Sequence, residues 1–175
     1  VWNFDGNAWH QDQALGQGLE LNNRALRTSI DGRDNGVRLR DTDNDGLCEI
    51  IVGNPKNQAV FKWNKGLLRW QSAGFNLPEN VQIVRADGSD NGVRFVDINE
   101  DGHLDLIHSN EERYSIHLYV PRPILGWGVG WTREDMAGLR SDANAIPMIV
   151  RGGEHNNNGA WFHSRHLWVQ NEDTA

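Results

Sequence analysis

Apolar and polar residues alternate along much of this chain, in short runs that end at Gly, Asn, Asp or Pro. Such two-residue alternation predicts half-buried β-strands, whereas an amphipathic helix would repeat its apolar positions every three or four residues. The run at residues 49–52 is continuously apolar after its first residue, which predicts a strand buried on both faces. The predicted strands cover residues 36–40, 49–52, 58–63, 68–72, 93–96, 105–108, 115–120 and 131–133.

This pattern of strands and turns occurs twice. Residues 31–51 read DGRDNGVRLRDTDNDGLCEII and residues 87–107 read DGSDNGVRFVDINEDGHLDLI, an offset of 56 residues from 31 to 87. Each unit predicts four strands joined by short turns, and repeats of about 40–50 residues with this make-up are typical of β-propeller blades. We therefore predict an all-β fold, a β-propeller segment of four-stranded antiparallel blades, with units at residues 31–86 and 87–149.

Partial blades are predicted at both ends of the chain, at residues 1–30 and 150–175. The second is predicted because residues 150–162 resemble residues 84–95. About three blades' worth of sequence is then present, whereas a closed ring needs roughly four to eight blades. We therefore expect a ring that does not close within this chain and is completed by remaining blades or subunits. The first residue is Val rather than Met, so a piece of a longer protein is expected.

Composition narrows the possible classes of function. The 175 residues include 19 Gly and 8 Trp, which suits short strands and tight turns. No apolar stretch approaches the roughly 18 residues of a membrane span. The formal net charge is −7, so the basic surface that nucleic acid requires is absent. The single cysteine, Cys48, precludes an internal disulfide, and its place before an apolar strand predicts a buried structural thiol.

Two short loops, at residues 41–49 and 97–105, concentrate acidic charge. Oxygen-bearing side chains alternate there around a Gly that permits a sharp reversal, as suits Ca²⁺ with its six to eight oxygen ligands. Converging carboxylates repel one another unless a cation is present. We predict one Ca²⁺ in each loop, bound in the first by Asp41, Asp43, Asp45, the carbonyl of Leu47 and Glu49, and in the second by Asp97, Asn99, Asp101, the carbonyl of His103 and Asp105.

These loops, of the form D-x-[DN]-x-D-G-x-x-[DE] between short strands, resemble the FG-GAP/VCBS repeats of integrin-type, calcium-binding β-propellers over roughly residues 31–120. The resemblance implies a propeller in which Ca²⁺ rigidifies the inner hairpin of each blade. More loosely, the runs at residues 36–55, 94–115 and 157–174 look like the propeller region of large, secreted bacterial haem-binding, dehydrogenase-like proteins of the PVC type. The chain has no Cys-x-x-Cys-His motif, so covalent haem attachment is not expected here.

Outside the loops, the possible ligand-binding residues are Trp127, Trp161, His163, His166 and Trp168. A strand would place His163 and His166 on opposite faces, so polar packing is favoured over a transition-metal site. Arg38 and Arg94 recur three residues before each acidic loop. They predict a structural ion pair with that loop, or a position lining the propeller axis, in preference to substrate binding.

The expected function is that of a non-catalytic, calcium-binding module for ligand binding or assembly within a larger periplasmic or secreted protein. No nucleophile elbow, phosphate loop or zinc-protease helix is present, so no catalytic residue is assigned. One alternative is a glycan-binding module that uses Trp127 against sugar rings. Another is a fragment of a carbohydrate-active or dehydrogenase-type enzyme, for which Glu111 and Glu112 offer a carboxylate pair.

Overall fold

A computed structural model describes residues 1–124, 126–153 and 157–170, and these residues form an all-β structure. The first part of the chain folds into short two-stranded ladders, namely β1 (Trp2–Phe4) with β2 (Trp9–Gln11), β3 (Glu20–Leu21) with β4 (Arg24–Ala25), and β5 (Ser29–Ile30) with β6 (Arg33–Asp34). A short 3-10 turn at Ala14–Gly16 is the only helical element of the described residues. None of the described residues therefore forms a helix that could cross a membrane.

Two four-stranded antiparallel sheets follow, each with its strands in sequence order. The first sheet consists of β7 (Val37–Arg40), β8 (Glu49–Asn54), β9 (Asn57–Asn64) and β10 (Arg69–Ser72), and the second of β11 (Val93–Val96), β12 (Asp105–Ser109), β13 (Arg113–Val120) and β14 (Gly130–Leu139). A last hairpin pairs β15 (Ala160–His163) with β16 (His166–Val169). The predicted all-β fold, a propeller segment of four-stranded meanders without closure, is confirmed for the described residues.

Burial on both faces explains the apolar run in β8. Ile50 and Val52 pack against apolar side chains of the preceding ladders, whereas Ile51 packs toward the second sheet. In β12, Leu106 packs back toward the first sheet and Ile107 packs toward the last hairpin. The elements therefore stack in chain order: first ladders, first sheet, second sheet and last hairpin.

The segment that joins the two sheets is part of the core between them. Its apolar residues Leu77, Val81, Ile83 and Val84 are buried against both sheets. Tyr119 and Trp131 of the second sheet meet edge to face, with ring centroids 5.8 Å apart. Burying a large apolar side chain stabilises a fold by roughly 1.5–3 kcal/mol, so the two sheets are held by packing and not by a loose linker.

The join between one sheet and the next is repeated in the two units. In the first unit, the backbone N–H of Ile83 donates to the carbonyl of Gly53 at 2.9 Å. In the second, the N–H of Ile149 donates to the carbonyl of Ser109 at 3.1 Å. Gly36 and Gly92 lie against these carbonyls with φ of +69° and +83°, and a Cβ at either would lie 2.4 Å from the carbonyl oxygen. Only Gly suits both the backbone conformation and the space, which accounts for the recurring Asn-Gly-Val.

The weak third copy has the same local geometry where the structure describes it. Val150 forms an isolated bridge with Asn157, as Val84 does with Asp90. The side-chain amide of Asn158 donates to a backbone carbonyl at 2.7 Å. Residues 154–156 of this copy and residues 171–175 lie outside the described residues.

Two local features differ from the sequence prediction. Strand β14 spans Gly130–Leu139 rather than residues 131–133, because it pairs along the whole of β13 through two irregularities in register. Cys48 is exposed, so the prediction of a buried thiol was wrong. The residue that is buried where the loop meets β8 is the next one, Glu49.

Candidate metal centre

The first acidic loop joins β7 to β8 and is shaped by its own side chains. The carboxylate of Asp41 accepts hydrogen bonds from the backbone N–H groups of Asp45 at 3.1 Å and Gly46 at 2.9 Å, and Asp45 accepts one from Leu47 at 2.9 Å. Asn44 and Gly46 have φ of +59° and +84°, the left-handed conformation that these residue types adopt most readily. The alternate acidic residues therefore fold the loop.

The second acidic loop, between β11 and β12, repeats this pattern. Asp97 accepts hydrogen bonds from the N–H groups of Asp101 at 3.0 Å and Gly102 at 2.9 Å, and Asp101 accepts one from His103 at 2.9 Å. Glu100 and Gly102 have φ of +60° and +90°, as the residues 56 positions earlier do. Equal spacing has thus produced equal backbone geometry.

Three acidic side chains of the first loop converge. Asp41, Asp43 and Glu49 each present an oxygen within 4.8 Å of the others. Glu49 is 2% exposed, accepts the N–H of Thr42 at 2.8 Å and also contacts the Thr42 hydroxyl, and burial raises its pKa. Oδ1 of Asp43 is buried without a hydrogen-bond partner among the described residues. An unpaired carboxylate oxygen beside two further carboxylates is what an oxygen-coordinated cation would satisfy.

A lysine that the sequence analysis missed brings positive charge to this cluster. Nζ of Lys62, in β9, contacts Oδ2 of Asp43 and lies 3.7 Å from Oε1 of Glu49. Burial acts to lower the pKa of Lys62, but the hydrogen bond to Asp43 and the nearby carboxylates raise it on balance. The ammonium is therefore protonated at neutral pH. The repeat offered a signal for this contact: the residue 56 positions after Lys62 is the apolar Leu118, so a charged residue at this position is specific to the first unit.

The two loops differ by a matched exchange of charge. Under the offset of 56 residues, Asp43 corresponds to Asn99 and Lys62 corresponds to Leu118. Counting only the predicted ligands and Lys62, the first site has four carboxylates and one ammonium and the second has three carboxylates, so each carries a formal charge of −3. The additional ligand carboxylate of the first site is therefore offset by the ammonium of Lys62.

The second loop relies on hydrogen bonds where the first uses charge. Both oxygens of Asp105 accept backbone N–H groups, from Tyr119 at 2.8 Å and from Ile98 at 3.0 Å, and burial raises its pKa. The side-chain amide of Asn99 donates to Asp101 at 2.9 Å. Among the described residues, the carboxylates of this loop do not form a cluster like that of the first loop.

The two loops lie side by side at one edge of the stack. The N–H of Leu104 in the second loop donates to the carbonyl of Thr42 in the first loop at 3.0 Å. The carbonyl of Leu104 accepts a hydrogen bond from the indole N–H of Trp131 at 2.8 Å. On the other side, Arg165 from the turn of the last hairpin donates to the carbonyl of Asn99 at 2.9 Å. An ion that orders one loop would therefore also act on the contact with its neighbour.

The recurring arginines pair with other acids than those predicted. Arg38 makes two hydrogen bonds to the carboxylate of Asp34, at 3.1 and 2.7 Å, and Arg94 makes two to Asp90, at 3.2 and 2.8 Å. Each partner lies four residues earlier, in the repeated Asp-Asn-Gly-Val-Arg motif. The expected ion pair with the acidic loop was wrong, because the carboxylate four residues earlier offers the guanidinium a bidentate partner.

Four of the five predicted ligand-binding residues share one face of the last hairpin. Trp161 pairs across the hairpin with Trp168, and His163 pairs with His166. The two indoles are stacked, with ring centroids 6.1 Å apart. The expectation that the histidines face opposite ways was wrong, because the turn at residues 164–165 places them on separate strands, directly opposed. Both indoles are half-exposed. Trp127 lies on another element, exposed in the loop between β13 and β14.

A family model described as an FG-GAP-like repeat matches residues 41–108. The match begins at the first residue of the first acidic loop, contains both loops and ends within β12, so it covers 68 of the 175 residues. This part of the chain therefore contains an FG-GAP-like repeat, in agreement with a β-propeller-like module. Neither the curated proteins nor the solved structures gave a match. The finer likeness to VCBS repeats and to PVC-type proteins stays a prediction.

Proposed function

We propose that this chain is a calcium-binding β-propeller module in which each acidic loop holds one Ca²⁺. The proposal rests above all on the convergence of Asp41, Asp43 and Glu49, with one buried oxygen of Asp43 left unpaired. All ligands on offer at this point are oxygens, which suits a hard cation. Two loops of the same backbone geometry support two sites of the same kind.

In the first loop, the ligands would be the carboxylates of Asp41, Asp43, Asp45 and Glu49 and the carbonyl of Leu47. A bound Ca²⁺ offsets the mutual repulsion of the carboxylates. These residues then hold the end of β7 against the start of β8. Because Lys62 contacts one of the same carboxylates, its ammonium and the cation compete for Asp43.

In the second loop, the ligands would be Asp97, Asn99, Asp101, the carbonyl of His103 and Asp105. Asn99 is neutral, and Leu118 stands where the first unit has Lys62. No ammonium from that position therefore competes with the ion in this loop. The hydrogen bond from Leu104 to Thr42 joins this loop to the first, so order in the two loops is coupled across the boundary between the sheets.

The module would serve ligand binding or assembly within a larger periplasmic or secreted protein. Extracellular calcium modules work at dissociation constants of about 10⁻⁴–10⁻³ M, so short-loop sites of this type suit a compartment rich in calcium. A closed propeller needs roughly four to eight blades. The described residues form two four-stranded sheets, and the proposed partners are further blades or subunits that complete the ring.

Thermal and urea unfolding of the chain in EDTA and in calcium test this proposal. At a calcium concentration a hundredfold above the dissociation constant, each site should add about 2.7 kcal/mol to the free energy of unfolding. The matched variants D45N and D101N each remove one charge and keep a side-chain oxygen for the following backbone N–H. Each should lose part of the calcium effect, whereas D135N on the exposed face of β14 should not. Identical unfolding of the wild type in EDTA and in calcium would contradict the proposal.

A second candidate function is glycan binding by the last hairpin. The observation that favours it is the stacked, half-exposed pair Trp161 and Trp168, with His163 and His166 on the same face. Exposed aromatic rings beside polar side chains suit the apolar faces and hydroxyl groups of sugars. A glycan array probed with the chain, in calcium and in EDTA, tests this candidate.

A further inference from the structure

A cavity of about 260 Å³ opens on the face of the second sheet that packs toward the first. Its polar lining includes His108 in β12, Ser115 and His117 in β13, and Glu134 in β14, with Glu79 contributed by the segment that joins the sheets. His108 lies three residues along β12 from the acidic loop, which is about 10 Å for an extended strand. The cavity therefore shares no residue with the proposed calcium sites.

The register of the second sheet brings these side chains together. His108 is directly opposite Ser115, and His117 is directly opposite Glu134. Side chains two residues apart on a strand share a face, so His108 lies on the same face as Leu106, which is in the core between the sheets. A polar group of four side chains thus lies beside the apolar core between the sheets.

The first unit shows that the fold does not require polar residues at these positions. Under the offset of 56 residues, the counterparts of His108, Ser115 and His117 are Val52, Ala59 and Phe61. The register is the same, since Val52 pairs with Ala59 as His108 pairs with Ser115. The three counterparts pack in the apolar cluster of the first sheet. The second unit has therefore exchanged three apolar side chains for three polar ones on the same scaffold.

Two of the exchanged side chains each keep one polar atom without a hydrogen-bond partner among the described residues. His108, Ser115 and His117 are 1%, 7% and 5% exposed. Nδ1 of His108 and Oγ of Ser115 are buried without a hydrogen-bond partner among the described residues. A buried polar atom left without a hydrogen bond destabilises the fold. A bound molecule that pairs with both would remove this cost.

The charges of the cavity disfavour an anion, and its size favours a small ligand. Burial lowers the pKa of both histidines, that of His108 to about 4, so both imidazoles are uncharged at neutral pH. The amide of Asn110 donates to Nε2 of His108 at 3.3 Å, which leaves Nδ1 as a donor. Glu79 and Glu134 offer acceptor oxygens at the rim and disfavour anions, while Arg113 adds donors. The volume is below the roughly 300–1,000 Å³ of sites for drug-sized ligands.

We propose that the cavity formed by His108, Ser115, His117 and Glu134 binds a neutral polyhydroxylated molecule no larger than one sugar ring. Its hydroxyl groups both donate and accept, which matches the imidazole N–H, the serine hydroxyl and the rim carboxylates. This binding site is independent of calcium, because none of its residues belongs to the acidic loops.

The test is a titration of the whole chain, monitored by NMR of the imidazole nitrogens. The probes are glycerol, myo-inositol, glucose, galactose and mannose. At least one of these probes should shift the His108 signals saturably, in EDTA as well as in calcium. The variant H108V/S115A restores the residues of the first unit, and its binding is read from the imidazole of His117, which also lines the cavity. It should bind at least about tenfold more weakly, while S115A alone should lose less. Circular dichroism of both variants verifies that they fold.

Three results would overturn the proposal. One is the absence of any saturable shift with all five probes. Another is binding that H108V/S115A leaves intact, which would place the ligand elsewhere. The third is a response of the imidazoles to Zn²⁺ but to none of the polyols, which would make the cavity a metal site. If D45N and D101N each lose part of the calcium effect and keep polyol binding, the polyol proposal is separated from the calcium proposal.

Discussion

Replacing Lys62 with Met tests whether the ammonium and Ca²⁺ compete for the same carboxylates. In EDTA, K62M leaves Asp43 and the buried Glu49 without their positive neighbour. At 3.7 Å and an effective dielectric constant of about 20, the attraction between Lys62 and Glu49 alone is about 4.5 kcal/mol. Because the Lys62 side chain is 31% exposed and the pair is costly to desolvate, we expect a net loss of about 1–2 kcal/mol in unfolding free energy.

With calcium present, the effect of K62M should be reversed in part. The substitution changes the formal charge of the first site from −3 to −4 and removes the competitor at Asp43. We expect the calcium dissociation constant of this site to fall about tenfold, which is worth about 1.4 kcal/mol. The stability deficit measured in EDTA should therefore nearly vanish at saturating calcium.

The assay combines urea unfolding in EDTA and in saturating calcium with calorimetric titration of calcium. The matched control is K65M, which removes an exposed lysine in the turn after β9 and should change neither quantity. An equal loss of stability for K62M in both conditions, together with an unchanged calcium affinity, would refute the reasoning.

Three further perturbations follow from the structure. In urea unfolding, G92A should cost about 3 kcal/mol of unfolding free energy, because its Cβ would lie 2.4 Å from the Ser109 carbonyl oxygen. The control G74A, with a similar φ of +82° and open space around it, should cost about 1 kcal/mol. Burial lowers the pKa of His108 from 6.5 to about 4, so its contribution to stability is present above pH 6.5 and is lost as the pH falls. The wild type should therefore lose about 3 kcal/mol relative to H108N as the pH falls from 7 to 4. If the last hairpin binds glycans, W168A should abolish array signals and leave the calcium-dependent stabilisation intact.

The strands could be read from the sequence because their signals are local. Two-residue alternation, the apolar run of β8 and the turns at Gly and Asn placed all eight strands of the two sheets, and the repeat made each unit a test of the other. Strand β14 was placed too short because its length is set by its partner β13, and its own sequence is exposed and polar. A strand that pairs at the edge of a sheet has little burial to record in its sequence.

The backbone of the acidic loops was equally local. Asp41 and Asp97 accept hydrogen bonds from backbone groups four and five residues later, so spacing alone fixes these bends. The charge balance was not local, because Lys62 reaches the first loop from β9, and its distance in sequence gave no sign of the contact except through comparison with Leu118. Exposure of Cys48 was missed for the same reason: the neighbouring elements decide which side of the loop is covered.

The sequence by itself determined what depends on neighbours along the chain: the strands, the turns, the repeat and the shape of the acidic loops. Tertiary structure alone decided what depends on which strand lies opposite which. It paired His163 with His166 across a turn, and it gathered His108, Ser115 and His117 into one cavity. The physical reason is that hydrogen-bond spacing and side-chain alternation act over a few residues, whereas register and stacking bring together residues whose separation in sequence carries no record of their contact.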